Sequence, residues 1–125
     1  MLNQLLMIAA GGAAGSVMRF LLSSGVHRVA GRDFPYGTLS VNVLGSLLMG
    51  ILYIVLVERA SLGAEWRALL LVGFLGAFTT FSTFSIETLN LLENGELIKA
   101  GTNVFLSVFL CILAAWSGVI VGRQL

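Results

Sequence analysis

Four long apolar windows occupy most of this chain and restrict what it can fold into. A membrane-spanning helix needs about 20 mostly apolar residues, and each window is long enough to form one. The windows run from Asn3 to Ser24, Tyr36 to Val57, Trp66 to Leu92 and Lys99 to Gly122. Only 10% of the 125 residues are charged, whereas soluble domains have about 25%. The sequence therefore predicts an all-α membrane protein with a single four-helix transmembrane domain over residues 1–125, surrounded by the lipid bilayer.

The basic residues near the span ends give no preferred orientation in the membrane. Lys and Arg normally accumulate on the cytoplasmic side, but here each side carries the same number. One side has Arg59, Arg67 and Arg123, and the other has Arg28, Arg32 and Lys99. The simplest hypothesis is dual topology, in which copies insert in both orientations and pair as an antiparallel homodimer.

The stretch from Gly73 to Glu87, GFLGAFTTFSTFSIE, is more polar than an ordinary membrane anchor. Gly73 and Gly76 weaken a helix, and the Thr, Ser and Phe residues that follow have mediocre or poor helix propensity. We therefore predict that the third helix is broken near its middle. Inside a bilayer, a break is tolerated only where protein, water or an ion satisfies the freed carbonyl groups. The stretch thus predicts a buried binding site.

The second and fourth spans each carry a polar face. Residues four apart lie on one side of a helix, and the two sets are Thr38, Asn42 and Ser46, and Asn103, Ser107 and Cys111. Asn42 could be polar glue between helices, typically worth about 0.6 kcal/mol. It could instead be a neutral N–H donor that faces a water-filled path. The second interpretation is favoured because Asn42 shares its face with two hydroxyl groups.

Arg19 lies one turn beyond the G-x-x-x-G spacing of Gly11 and Gly15 in the first span. The glycine spacing is typical of close helix packing. The arginine has two interpretations that the sequence leaves open: it snorkels to the membrane interface, or it draws anions into a vestibule. His27, the only histidine, is interpreted as a solvated surface residue, since no second His, Cys or carboxylate stands at metal-ligand spacing.

The sequence lacks the motifs of several functional classes. It has no Ser/His/Asp set, no paired carboxylates at helical spacing, no nucleotide-binding fingerprint and no basic patch for nucleic acid. We therefore expect neither an enzyme nor a nucleic-acid-binding protein. What remains is a path lined by hydroxyl groups, an amide and aromatic ring edges, which carry the positive end of the ring quadrupole. Such a path suits small anions, but it also suits water or cations, so these residues alone do not choose the ion.

Two sequence blocks, GFLGAFTTFSTFSIET in the third span and GTLSVNVLGS in the second, resemble motifs of the Fluc family of fluoride channels. The four-span layout extends the resemblance over the whole chain. The resemblance implies a passive, highly selective channel that exports cytoplasmic fluoride and lowers fluoride toxicity. It also implies an antiparallel dual-topology homodimer in a bacterial inner membrane, with two pores and a structural Na⁺ at the dimer centre.

The resemblance assigns roles to individual residues as well. Na⁺ would be held by the backbone carbonyl groups of Gly76 and Thr79. Fluoride would meet the ring edges of Phe81 and Phe84 and the amide of Asn42. The other pathway positions, with the vestibule residue last, would be Thr38, Ser82, Thr83, Glu87, Asn103, Ser107 and Arg19.

Two positions in the fourth span depart from the family pattern. Asn103 stands where relatives often carry tyrosine, and Cys111 stands where a further hydroxyl group often occurs. The hydrogen bonding of the polar track in this span is therefore left open by the resemblance.

Two other functions remain as alternatives. A small proton-coupled multidrug exporter would be expected to carry a carboxylate in its first span, where this chain has Arg19 and leaves Glu87 as its only intramembrane carboxylate. A structural subunit of a larger membrane assembly would need only the glycine spacings. That alternative leaves the Thr, Ser and Phe block of the third span unexplained.

Overall fold

The computed structural model describes residues 1–60 and 62–125. Within these ranges, four helical spans are long and apolar enough to cross a membrane: Leu2–Ala30, Tyr36–Glu58, Ala64–Glu93 and Leu97–Gln124. The protein is therefore a multi-pass membrane protein, and the prediction of an all-α fold with four spanning segments is confirmed. The helices continue past the predicted apolar windows, because helical hydrogen bonds do not stop where the side chains become polar.

The first span is the helix α1 (Leu2–Ala30). The second begins as α2 (Tyr36–Tyr53), directly after Pro35, and continues as a π-helical segment over Ile54–Glu58. The third consists of α3 (Ala64–Arg67), a π-helical segment over Ala68–Leu75, α4 (Gly76–Phe78) and α5 (Phe81–Glu93). The fourth is α6 (Leu97–Gln124).

Thr79 and Thr80 separate α4 from α5. Their backbones are extended, with φ −85° and ψ 157° at Thr79 and φ −149° and ψ 118° at Thr80. The two residues lie three and four positions after Gly76, inside the Thr, Ser and Phe block. This non-helical pair is the local feature on which the candidate site depends.

Each helix packs against particular neighbours. Helix α1 contacts α2 and the part of the third span that precedes Thr79, while α2 packs along α6 and α5 packs mainly against α6. A small core of Val41, Leu75 and Phe78 lies where α2 meets the third span. The predicted close packing at Gly11 and Gly15 is confirmed, since an added Cβ would overlap the backbone oxygen of a third-span residue at each position.

His27 connects the end of α1 to the start of α2. Its Nε2 accepts a hydrogen bond from the backbone N–H of Gly37 at 3.1 Å, one of the groups that the first turn of a helix leaves without a helical partner. The side chain is half-buried. The interpretation of His27 as a solvated surface residue is therefore wrong, because it did not anticipate that the short loop returns α2 to this histidine.

Candidate functional site

Asn42 of α2 holds the backbone of Thr80 on both sides. The backbone N–H of Thr80 donates to Asn42 Oδ1 at 2.7 Å, and Asn42 Nδ2 donates to the carbonyl oxygen of Thr80 at 3.0 Å. The amide side chain thus occupies the position that a neighbouring strand would take beside an extended residue. This pairing satisfies two polar groups that the non-helical backbone would otherwise leave without partners.

The hydrogen bonds around Thr80 leave carbonyl groups before α5 without their helical donors. In a continuous α-helix, the N–H groups of Thr80 and Thr83 would donate to the carbonyls of Gly76 and Thr79, four residues earlier. Here the N–H of Thr80 donates to Asn42, and the N–H of Thr83 donates to Thr80 Oγ1 at 3.2 Å. The carbonyl oxygens of Gly76 and Thr79 are therefore among the groups that the non-helical pair releases, together with those of Ala77 and Phe78, since α5 begins only at Phe81.

The hydroxyl group of Thr80 caps the N-terminus of helix α5. It accepts from the N–H of Thr83, an N-cap interaction of the kind that Thr commonly makes, and it donates to Thr83 Oγ1 at 3.0 Å. Ser82 Oγ lies 3.4 Å from the same oxygen. Three hydroxyl groups of the Thr, Ser and Phe block are thus gathered at the first turn of α5.

A cavity of about 360 Å³ lies on one side of the Asn42–Thr80 pair. We name it the phenylalanine cavity, because the rings of Phe81 and Phe84 line it with their centroids 5.3 Å apart and their planes tilted by 56°. The complete lining is Asn42, Gly45, Ser46, Met49, Thr79, Thr80, Phe81, Phe84, Ser107, Val108, Cys111 and Ala115. It carries no formal charge, so its polar groups are neutral hydrogen-bonding groups from α2, α6 and the third span.

A second cavity, of about 260 Å³, contains Arg19 of the first span. We name it the arginine cavity, and its lining consists of Ser16, Arg19, Phe20, Ser23, Thr38, Val41, Thr80 and Thr83. Thr80 lines both cavities. The predicted polar face of α2 extends along both as well, with Thr38 in the arginine cavity and Asn42 and Ser46 in the phenylalanine cavity.

The fourth span contributes a buried polar network. Asn103 Nδ2 donates to Thr88 Oγ1 at 2.9 Å, Thr88 Oγ1 donates to the carbonyl of Phe84 at 2.8 Å, and Ser107 Oγ donates to Asn103 Oδ1 at 3.4 Å. Asn103 is only 2% exposed and does not line the phenylalanine cavity, whereas Ser107 and Cys111 do. Asn103 therefore contacts Ser107 of the cavity wall without lining the cavity itself.

Glu87 lies away from the two cavities around Thr80. It lines a polar cleft of about 360 Å³ at one end of the bundle, together with His27 of α1, Arg32 of the following loop and Lys99 of α6. Its Oε1 is buried, and none of the described residues donates a hydrogen bond to it. Glu87 lies about one turn of α5 after Thr83 and Phe84, but it lines neither of the cavities that these two residues line.

Two residues that contact the predicted site were missed. Thr80 was recognised as part of the polar block but received no role. Thr is a preferred residue at the N-cap of a helix, and this preference could have identified it. Thr88 ends the third-span block that carries the family resemblance, but it received no role because its role depends on contact with Asn103, 15 residues later. Gly76, by contrast, is exposed at the protein surface, and Ser82 is exposed at the start of α5.

These features define a class of protein: a small multi-pass membrane protein in which a non-helical pair inside the third span lies between two cavities lined mainly by uncharged side chains. The chain belongs to the family described as CrcB-like protein, Camphor Resistance (CrcB), whose profile matches residues 6–119. The match covers most of the chain, and it confirms the family resemblance carried by the blocks of the second and third spans.

Similar relatives are named "Fluoride-specific ion channel FluC". The relative from Methylococcus capsulatus is 58% identical over 118 residues, which are 94% of this chain and 52% of the relative. The relative from Coxiella burnetii (strain Dugway 5J108-111) is 55% identical over 96% of this chain and 98% of its own length, and that from Geobacter sulfurreducens is 48% identical over 99% and 100%. The chain thus spans about half the Methylococcus protein and nearly all of the other two.

Proposed function

We propose that this protein is a passive, selective fluoride channel that exports cytoplasmic fluoride and so lowers fluoride toxicity. The observation that carries the proposal is the Asn42–Thr80 pair, because Thr80 lines both the uncharged phenylalanine cavity and the arginine cavity. The lining chemistry also suits water or cations. The choice of fluoride is supported by the relatives named as fluoride-specific channels.

Fluoride would enter through the arginine cavity, where Arg19 is the attractive positive charge. The hydroxyl groups of Thr38 and Thr83 line the same cavity and can replace part of the anion's hydration shell. Ser82 adds a further hydroxyl at the first turn of α5. These groups are neutral, so they lower the cost of dehydration without holding the anion as tightly as a ring of arginines would.

From there fluoride would pass Asn42 into the phenylalanine cavity. The NH₂ group of Asn42 has two hydrogens, and one of them is donated to the Thr80 carbonyl. The second is available to the anion. The ring edges of Phe81 and Phe84 supply further positive potential, and a negative membrane potential drives the anion outward by about 2.3 kcal/mol per 100 mV.

We place two such pores in an antiparallel, dual-topology homodimer in the bacterial inner membrane. The balanced basic residues on the two sides of the membrane support insertion in both orientations. The single copy also leaves Phe81 67% exposed, although it lines the cavity where an anion would be least hydrated. A second copy would cover this ring and complete the wall of each pore.

The carbonyl groups of Gly76 and Thr79 would hold a structural Na⁺ between the two copies. Both have lost their helical donors at the non-helical pair, and carbonyl oxygens are ligands for hard cations. Purification with Na⁺ replaced by N-methylglucamine should lower the Tm of the dimer, and added Na⁺ should restore it. An unchanged Tm without Na⁺ would contradict the proposal that the ion stabilises the dimer.

Ion efflux from liposomes that contain the purified protein tests the proposed function. We expect rapid fluoride release and negligible chloride release, without an imposed proton gradient. Release that requires a proton gradient and a cationic drug would instead identify an exporter. The absence of any ion or drug flux would favour a structural subunit.

A further inference from the structure

The direction of every hydrogen bond in the buried network between α5 and α6 follows from Thr88. A carbonyl oxygen only accepts, so Thr88 donates its single hydroxyl hydrogen to the carbonyl of Phe84. Thr88 Oγ1 can then only accept from Asn103. The NH₂ group of Asn103 therefore faces Thr88, and its Oδ1 faces Ser107, which donates its own hydrogen to that oxygen.

This direction determines what Ser107 offers to the phenylalanine cavity. The hydroxyl of Ser107 has one hydrogen and two lone pairs, and the hydrogen is already donated to Asn103 Oδ1. Ser107 therefore presents only acceptor positions to the cavity that it lines. An acceptor repels an anion but can bind a water molecule, so Ser107 favours water at its place in the cavity, whereas Asn42 offers a hydrogen-bond donor.

We propose that Thr88 is a positioning residue of the ion path, which fixes Asn103 so that Ser107 binds a water molecule instead of the anion. Thr88 also holds the carbonyl of Phe84, one of the two cavity phenylalanines. This inference rests on the proposed function. It gives the phenylalanine cavity a hydrogen-bond donor at Asn42, a positive ring edge at Phe81 and an acceptor at Ser107, between which a partly hydrated anion fits.

The hydroxyl group of Thr88 can be tested separately from its bulk. Thr88→Val keeps the shape but removes both hydrogen bonds, and we expect fluoride flux at least fivefold lower than in the wild type. Thr88→Ser keeps the hydroxyl group and should stay within twofold. Thr102→Val is the matched control, since Thr102 is exposed on α6, and it should also stay within twofold. Equal losses in Thr88→Ser and Thr88→Val would indicate packing only and overturn the proposal.

The side-chain amide of Asn103 provides a readout that does not depend on transport. In protein labelled with ¹⁵N-asparagine, the Asn103 amide resonance can be assigned with the Asn103→Leu variant. We expect Thr88→Val to shift this resonance and speed the exchange of its hydrogens, while Thr88→Ser leaves both nearly unchanged. An unchanged resonance in Thr88→Val would show that Thr88 does not orient the amide.

A double-mutant cycle tests whether the effect of Thr88 passes through Asn103. We expect Thr88→Val to lower fluoride flux less than twofold further in an Asn103→Leu background. The same fivefold loss in both backgrounds would overturn the proposal that Thr88 acts through Asn103. A wild-type protein without fluoride flux would contradict the proposed function itself. The Asn103 resonance would still show whether Thr88 orients the Asn103 amide.

Discussion

Asn42 is the side chain on which the local conformation of the candidate site depends most directly. It satisfies the N–H and the carbonyl of one extended residue, Thr80. A net contribution of about 1 kcal/mol for each hydrogen bond in a protein, or about 0.6 kcal/mol between membrane helices, makes this pairing a modest term in the free energy of folding. Its larger effect is geometric, because it holds Thr80 where both cavities meet.

We expect Asn42→Ala and Asn42→Asp each to lower fluoride flux at least tenfold. Alanine removes both bonds to Thr80 and should lower the free energy of unfolding by about 1–3 kcal/mol. Aspartate keeps an acceptor for the Thr80 N–H but cannot donate to its carbonyl, and its charge repels an anion. Liposome efflux and urea unfolding measure the two effects, with the exposed Asn3→Ala as control. Flux near the wild-type rate in Asn42→Asp would remove the amide from the pathway.

Two of the phenylalanine pairs allow a matched test of the ring edges. Phe81 and Phe84 line a cavity, whereas Phe105 and Phe109 form an exposed pair on α6. Phe81→Ile keeps apolar bulk but loses the positive ring edge, so fluoride flux should fall at least tenfold. Phe105→Ile should leave flux within twofold. Equal effects at the two positions would mean that ring edges do not contact the anion.

For single residues, the sequence predicted which side chains share a face but not which distant groups they contact. The spacing of Thr38, Asn42 and Ser46 predicted one polar face of α2, and this face does line the two cavities. The bonds between Asn42 and Thr80 span 38 residues and depend on how α2 packs against the third span. Periodicity within a helix contains no information about that packing.

The non-helical pair can form only because α2 approaches it closely. Gly45 lies one turn after Asn42, and an added Cβ would overlap Thr79 Cγ2 and lie 3.2 Å from Phe78 Cδ2. The backbone of the third span therefore reaches Asn42 at a place where α2 has no side chain. The G-x-x-x-G argument applied to the first span did not identify this contact, because Gly45 packs against side chains and not against another helix backbone.

Gly45→Ala should weaken the Asn42–Thr80 pair by separating the two elements. We expect a loss of about 1–3 kcal/mol in the free energy of unfolding, typical of overpacking, together with reduced fluoride flux. Gly101→Ala on α6 is the control, since no described atom outside its own helix lies within 4 Å of an added Cβ there. It should be neutral or stabilise the helix slightly. Thermal unfolding in detergent measures both, and equal stability of the two variants would contradict this account.

At the element scale, hydropathy predicted the four spans but not their ends or their internal geometry. Helix α1 continues through His27 and Arg28 to Ala30, beyond the apolar window that ended at Ser24. The π-helical segments over Ile54–Glu58 and Ala68–Leu75 also had no sequence signal. Both depend on how the helix backbones pack against their neighbours, which composition does not encode.

The whole molecule is consistent with an assembly in which neither orientation is preferred. Large apolar side chains remain exposed along the spans, including Phe20, Phe105 and Trp116, so each copy offers surface to lipid or to a second copy. Among the described residues, one exposed ion pair lies at each end of the bundle, Glu58–Arg123 at 3.3 Å and Glu96–Lys99 at 3.4 Å. Exposed pairs of this kind contribute little to stability. Because each end has one pair, the pairs do not make the two ends differ in charge.

Orientation-locked variants test the antiparallel pair directly. Glu65→Lys with Gln124→Lys adds two basic residues to the side that carries Arg59, Arg67 and Arg123, and Glu93→Lys with Asn94→Lys adds two to the other side. Added Lys residues should hold the modified side in the cytoplasm. All four positions are exposed, and neither ion pair is altered.

Each locked variant expressed alone should give less than a tenth of the wild-type fluoride efflux from cells, because antiparallel pairs cannot form. Coexpression of the two variants should restore efflux, since their orientations are opposite. Cysteine labelling from each side of the membrane verifies the orientations. Full efflux from one locked variant alone would mean that parallel copies, or single copies, conduct fluoride, and the shared Na⁺ between antiparallel copies would then have no place in the assembly.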